Sequence, residues 1–115
     1  MRVHAALGHG FLESVYCNAL AIELRRAEFS VAMEKPISVS YGGEIVGSFV
    51  ADLLVNGALI VELKAVQALS KVHEIQLVNY LTATGINDGL VLNFGCESLQ
   101  FKRKYRLGRS EEASF

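Results

Sequence analysis

The sequence predicts an α/β fold: a mixed central sheet flanked by helices, in the order α-β-β-β-α-β-β. Three observations predict it: helical periodicity early in the chain, strict alternation from about Pro36 to Ala65, and a capped helix followed by two further strands. A length of 115 residues suits one domain and is short for two, so one core and one site are expected over residues 1–115.

From Phe11 to about Glu28, Leu12, Val15, Tyr16, Ala19, Leu20, Ile22 and Leu24 recur at helical spacing, after the breakers Gly8 and Gly10. Three strands follow, about Ile37 to Tyr41, Glu44 to Val55 and Ala58 to Ala65, joined by Gly42-Gly43 and Asn56-Gly57 turns. Ser70 is placed to cap a second helix from Lys71 to Thr84, and Gly85 to end it. GLVLNFG and SLQFKRKYR complete the set as two more strands.

A hydrophobic fraction of 51% with one proline argues for a packed fold and against disorder. A net charge of −1 gives no global pull toward nucleic acid, so any such partner must be held by a local patch. Cys17 and Cys96 lack the paired spacing of a zinc or redox motif and are expected to be reduced, buried thiols. No stretch approaches the roughly 18 apolar residues of a membrane span. A soluble, cytoplasmic protein without a membrane partner is expected.

The chemistry centres on ALIVELKA, residues 58–65. Side chains alternate along a strand, so Glu62 and Lys64 share one face while Val61 and Leu63 take the other. Asp52 lies ten residues before Glu62, and the turn decides whether it joins them. A two-residue loop at Asn56-Gly57 pairs Asp52 with Val61 and puts it on the wrong face. A three-residue loop, Val55-Asn56-Gly57, pairs Leu54 with Ala58 and makes Asp52 and Glu62 diagonal neighbours on one face. Two adjacent carboxylates repel unless a cation or a proton intervenes. Mg²⁺ or Mn²⁺ would serve, with Lys64 orienting or activating water, or stabilising charge on a phosphodiester. The plainer alternative is a surface salt bridge of Lys64, which the apolar flanks of the strand disfavour.

Other elements carry candidates of the same chemistry. Glu13 falls within the apolar arc of the first helix, where a carboxylate is costly unless paired or metal-bound, although first-turn dipole placement also explains it. On the second helix Ile75, Leu77, Val78 and Leu81 form an apolar arc, opposite His73, Gln76 and Tyr80, which suit a phosphate, a water or a base edge. His73 by itself fits packing or capping better. The C-terminal stretch QFKRKYRLGR concentrates Lys102, Arg103, Lys104, Arg106 and Arg109 with Phe101 and Tyr105. That cluster fits phosphate contact or an aggregation-resistant edge about equally.

With these motifs in view, the sequence resembles the PD-(D/E)XK nuclease superfamily, and more narrowly the GxxExxY family. The matching segments are G-F-L-E-S-V-Y from Gly10 through Glu13 to Tyr16, ADLLV around Asp52, VELKAV around Glu62 and Lys64, VHEIQLVNYL, and GLVLNFG. His9 departs from the proline usual there. The resemblance implies a restriction-endonuclease-like core, with metal ligation by Glu13, Asp52, Glu62 and the carbonyl of Leu63, and a catalytic Lys64. Gln76 and Tyr80 resemble the Q-x-x-x-Y motif of the RecB-type branch. The expected substrate-binding residues are Gln76, Tyr80, Tyr16, His73, Lys102, Lys104 and Arg106. The expected function is Mg²⁺- or Mn²⁺-dependent hydrolysis of phosphodiester bonds in DNA; the rival is a non-catalytic nucleic-acid- or protein-binding module of the same fold. Its small surface makes a homodimer a further expectation.

Overall fold

The computed structural model describes residues 2–107. In chain order they form α1 (Arg2–Leu7), α2 (Glu13–Arg26), β1 (Val31–Tyr41), β2 (Glu44–Val55), β3 (Leu59–Lys64), α3 (Lys71–Thr84), β4 (Asp88–Asn93) and β5 (Gln100–Tyr105). The strands lie in the order β1-β2-β3-β4-β5. Only the β3–β4 pairing is parallel, with α3 as its crossover, and the other three are antiparallel. The mixed sheet with flanking helices is the restriction-endonuclease-like architecture the sequence predicts.

Two boundaries differ from expectation. The expected first helix is α2, which starts at Glu13 rather than Phe11, and an unexpected short helix, α1, precedes the breakers Gly8 and Gly10, whose φ are 72° and 111°. Six residues of α1 carry too little periodicity to stand out, yet Val3 is buried. β1 begins at Val31 rather than Ile37; Pro36 sits inside this edge strand, where its missing N–H interrupts no central ladder.

Each face of the sheet has its own core. Tyr16, Leu20, Leu53, Val61, Leu63 and Phe94 pack on the α1–α2 side. Ala51, Ile60, Leu77, Leu81 and Val91 pack on the α3 side. Ala51 and Leu53 are two residues apart and would share a face in a regular strand, yet they enter opposite cores. The ribbon of β1 and β2 therefore rolls over between the pairs Met33↔Leu53 and Lys35↔Ala51. Glu34, between those pairs, has a left-handed φ of 48°, and Asp52 lies across from it at the same point.

The helix faces follow from geometry as well as composition. Leu77 and Leu81 of α3 are buried, but Ile75 is 54% exposed. Residues two apart lie about 200° apart on a helix, so Ile75 and Leu77 cannot share the apolar arc expected of them. Leu12, placed in the α2 arc from sequence, precedes the helix and is exposed.

A buried amide stitches the carboxyl ends of β3 and β4. Asn93 is fully buried; its Oδ1 accepts from the Val66 and Gly95 N–H groups, each at 3.0 Å, and its Nδ2 donates to the Val66 carbonyl at 2.9 Å and Gln100 Oε1 at 2.9 Å. A Cβ on Gly95 would lie 2.3 Å from the Val66 carbonyl oxygen, so only glycine permits this approach. Asn93→Ala leaves the half-buried Val66 groups without these partners and is expected to cost about 1–3 kcal/mol. Gly95→Ala should cost at least as much, and urea melts of both variants check the pair.

Candidate active site

The turn between β2 and β3 resolves the question of register. Asn56 and Gly57 are both left-handed, with φ of 54° and 66°, and Ala58 N–H donates to the Val55 carbonyl at 3.0 Å. Val55 nevertheless pairs with Leu59, so Ala58 is an extra residue and the loop holds three. The parity is that of the three-residue expectation, but the loop is residues 56–58 rather than 55–57. Leu54 pairs with Ile60, not Ala58, which brings Asp52 level with Glu62. Asn56 is anchored from outside the hairpin: its N–H donates to the Ser30 carbonyl at 2.7 Å and its Oδ1 accepts from Ser30 N–H at 2.9 Å.

Beyond Leu53↔Val61 the two strands part, and side chains replace the ladder. Asp52 N–H donates to Glu62 Oε2 at 3.0 Å, and Leu63 N–H donates to Asp52 Oδ2 at 2.8 Å. Each carboxylate is thus fastened to the backbone of the opposite strand. Lys64, on the Glu62 face, makes none of the ion pairs among the described residues, so the surface salt-bridge alternative is not what this lysine does.

Glu13 approaches from α2. Its side chain is exposed rather than buried in the apolar arc, because it is the first residue of the helix. With Ser14, Cys17, Glu34, Asp52 and Leu63 it lines a cavity of about 280 Å³. Tyr16 aims this end of α2: its hydroxyl donates to the Gly8 carbonyl at 2.8 Å and accepts from Phe11 N–H at 3.2 Å, while its ring stacks on Phe94 at 4.5 Å. Tyr16 is fully buried and is a clasp, not the substrate contact expected of it.

The electrostatics tie these groups together. Burial, foremost, pushes Glu62 up to about 7. The Asp52 N–H and Lys64 oppose this, and the charges of Asp52 and Glu13 add to it. Cys17 is raised to about 11, first by burial and then by Asp52, Glu34 and Glu62, so it remains a thiol at neutral pH. Cys17 is buried as expected, whereas Cys96 is only half-buried.

Other expected site residues have local duties. His73 Nδ1 accepts from Ser70 N–H at 3.3 Å, which occupies one ring nitrogen in capping α3. Gln76 Nε2 donates to the Tyr80 hydroxyl at 3.0 Å, and the Tyr80 ring stacks on Phe49 at 3.7 Å, fastening α3 to the β1–β2 ribbon. The basic cluster is divided: Lys104 pairs with Glu74 at 2.6 Å, Arg103 with Asp88 at 3.4 Å, and Arg106 Nε donates to Asn87 at 3.0 Å. Lys102 is exposed; Arg109 lies outside the described residues.

Two residues near the site escaped sequence reasoning. Asn93 had a visible signal, an amide inside an apolar strand. Glu34 had none, since its left-handed backbone and its place at the cavity arise from the roll of the ribbon.

The model of the PD-(D/E)XK nuclease superfamily matches residues 1–104, which include the fork of Asp52, Glu62 and Lys64. This chain belongs to that superfamily. No curated protein matches the sequence. Among solved structures, the crystal structure of SSO0001 is similar with a TM-score of 0.62 at 15% identity, over 81% of this chain and 49% of that one. The chain thus spans about half the length of that structure, and the likeness shows the fold alone.

Superfamily members usually use divalent metals, and the donors at the fork can be compared with that demand. Among the described residues no three acidic, histidine or cysteine side chains are gathered tightly enough to hold an ion. The expected set of Glu13, Asp52 and Glu62 is therefore not closed as a triad. Asp52 and Glu62 still each have one carboxylate oxygen outside the hydrogen bonds described, and a hard ion such as Mg²⁺ needs only one or two carboxylates, with water completing its shell. The fork fits such an ion through these two residues.

The raised Glu62 carboxyl has a stability consequence. The folded state keeps this proton up to about 7, while the unfolded chain releases it near the ordinary glutamate value. The penalty of the buried charge is absent at low pH, develops between those values and is complete above the upper one. In chelator, wild type should lose on the order of 2–3 kcal/mol relative to Glu62→Gln between mildly acidic and mildly alkaline pH. Chemical denaturation of both proteins across that range measures the difference.

Proposed function

We propose that this chain is a divalent-metal-dependent nuclease that hydrolyses phosphodiester bonds in DNA, with water as nucleophile, and that it falls in the GxxExxY branch of its superfamily. The observation that carries the reading is the reciprocal fastening of Asp52 and Glu62 in the fork, with a lysine on the Glu62 face that makes none of the ion pairs among the described residues. A structural charge network would more naturally pair Lys64 with one of the acids.

Asp52 and Glu62 would hold Mg²⁺ or Mn²⁺. When bound, the ion would supply Lewis acidity and lower the pKa of coordinated water. Leu63, whose N–H holds Asp52 in place, would add its carbonyl to the ligand set. Lys64 brings a positive charge to the side of the sheet where negative charge develops on the phosphodiester in the transition state. Glu13, at the mouth of the cavity, is positioned to hold water or complete the ligand set once substrate and ion are present. Gln76 and Tyr80 would brace the β1–β2 ribbon that carries Asp52, through the stack on Phe49.

Lys64→Ala is expected to lower metal-dependent DNA cleavage by about 100-fold or more while the protein still gains thermal stability from Mg²⁺ or Mn²⁺. Asp52→Ala should abolish both cleavage and the metal-induced stabilisation. Cleavage assays and thermal melts with and without metal test both variants. A wild type that cuts nothing in either metal, or variants that cut undiminished, would overturn the mechanism.

A further inference from the structure

The basic residues at the end of the chain are sorted by the sheet onto two faces. Lys102 lies opposite Val91 and Lys104 opposite Gly89. Val91 packs in the α3-side core, and a Cβ on Gly89 would meet Leu77 of α3 at 3.0 Å, so both lysines belong to the α3 face. Arg103, opposite Leu90, points to the other face, where it pairs with Asp88 and lies 5.5 Å from the centre of the Tyr105 ring.

The start of α3 adds a third lysine. Lys71, Glu74, Ile75, Val78 and Lys104 line a cavity of about 350 Å³ between α3 and β5. Lys104 Nζ sits 2.6 Å from Glu74, whereas Lys71 and Lys102 make none of the ion pairs among the described residues. The Lys104 hydrogen bond, followed by the charges of Lys104, Lys71 and Lys102, holds the Glu74 carboxyl below its ordinary range, so all three ammonium groups bear on one carboxylate. The local charge is positive in a chain whose net charge is −1.

We infer that the cleft between α3 and β5 binds the phosphate backbone of the nucleic acid, through Lys71, Lys102 and Lys104, with Glu74 as the counter-charge that limits its affinity. The inference rests on the nuclease reading and names the surface that holds the strand beyond the fork. Lys102 and Lys104 are two residues apart on a strand, about 6.6 Å, a step comparable with that between successive phosphates on an extended chain. Glu62 pairs with Val91, and Val91 with Lys102, which places Lys102 about 10 Å across the sheet from the fork. Lys71 opens α3, and the dipole of that helix favours an anion near its start. Lysines on flexible stems suit sequence-independent phosphate contact. An acidic peptide would satisfy the same charges but has no reason to lie beside the fork.

The test is anisotropy of a short labelled single-stranded oligonucleotide in chelator across a salt series, so that binding is measured without cleavage. Lys71→Ala and Lys102→Ala should each reduce the slope of log K against log salt by about 0.7 and weaken low-salt binding roughly 3- to 10-fold. Glu74→Gln should strengthen low-salt binding, and Arg103→Ala should change neither quantity. The inference is overturned by unchanged slopes in both lysine variants, by an equal loss in Arg103→Ala, or by a glutamate-rich peptide displacing the oligonucleotide as well as unlabelled DNA does. Expected slopes in a protein that cuts nothing with Mg²⁺ or Mn²⁺ would retain this surface and remove the catalytic proposal; cleavage with unmoved slopes would do the reverse.

Discussion

The candidate site depends on one pair of hydrogen bonds: Asp52 N–H to Glu62, and Leu63 N–H to Asp52. They stand where a backbone ladder would otherwise continue, so β2 and β3 can part without leaving these two amides unsatisfied. Burial, foremost, and the charges of Asp52 and Glu13 raise Glu62 to about 7, and the Asp52 N–H and Lys64 oppose them only in part. The fold therefore keeps an electrostatic conflict at this point that a cation would relieve. The roll of the β1–β2 ribbon, the left-handed Glu34 and the approach of α2 all converge on the same place.

The residues of the sequence motifs divide their labour. Gly10 and Tyr16 shape and clamp the entry to α2, leaving Glu13 as the group that faces the cavity. On α3, Gln76 holds the Tyr80 hydroxyl, and the Tyr80 ring holds Phe49. That stack ties the long ribbon to the helix on the side away from α2. The site is thus braced on both faces of the sheet, by one buried tyrosine and one half-buried tyrosine.

Much of the fold was legible because its signals are local. The alternation from Pro36 to Ala65, the cap at Ser70 and the left-handed Gly85 identify β2, β3 and α3 with small boundary errors. The short α1 and the first residues of β1 were not legible, being held by tertiary contacts rather than by period. At the site, the shared face of Glu62 and Lys64 follows from strand geometry. The place of Asp52 did not, because it turns on whether Ala58 belongs to the loop or to the strand. The basic cluster divides for a related reason: adjacent residues on a strand read as one patch in sequence and become two in space.

The loop of Asn56, Gly57 and Ala58 has a consequence for how such a chain tolerates change. Surface hairpin loops ordinarily accept insertions and deletions with little effect. Here loop length behaves like a reading frame with a period of two. Adding two residues would preserve which face Asp52 presents, whereas adding or removing one would exchange it for a neighbour built for the core. Lineages of this hairpin should therefore drift in length by even steps, and an odd step should accompany loss of the acidic pair.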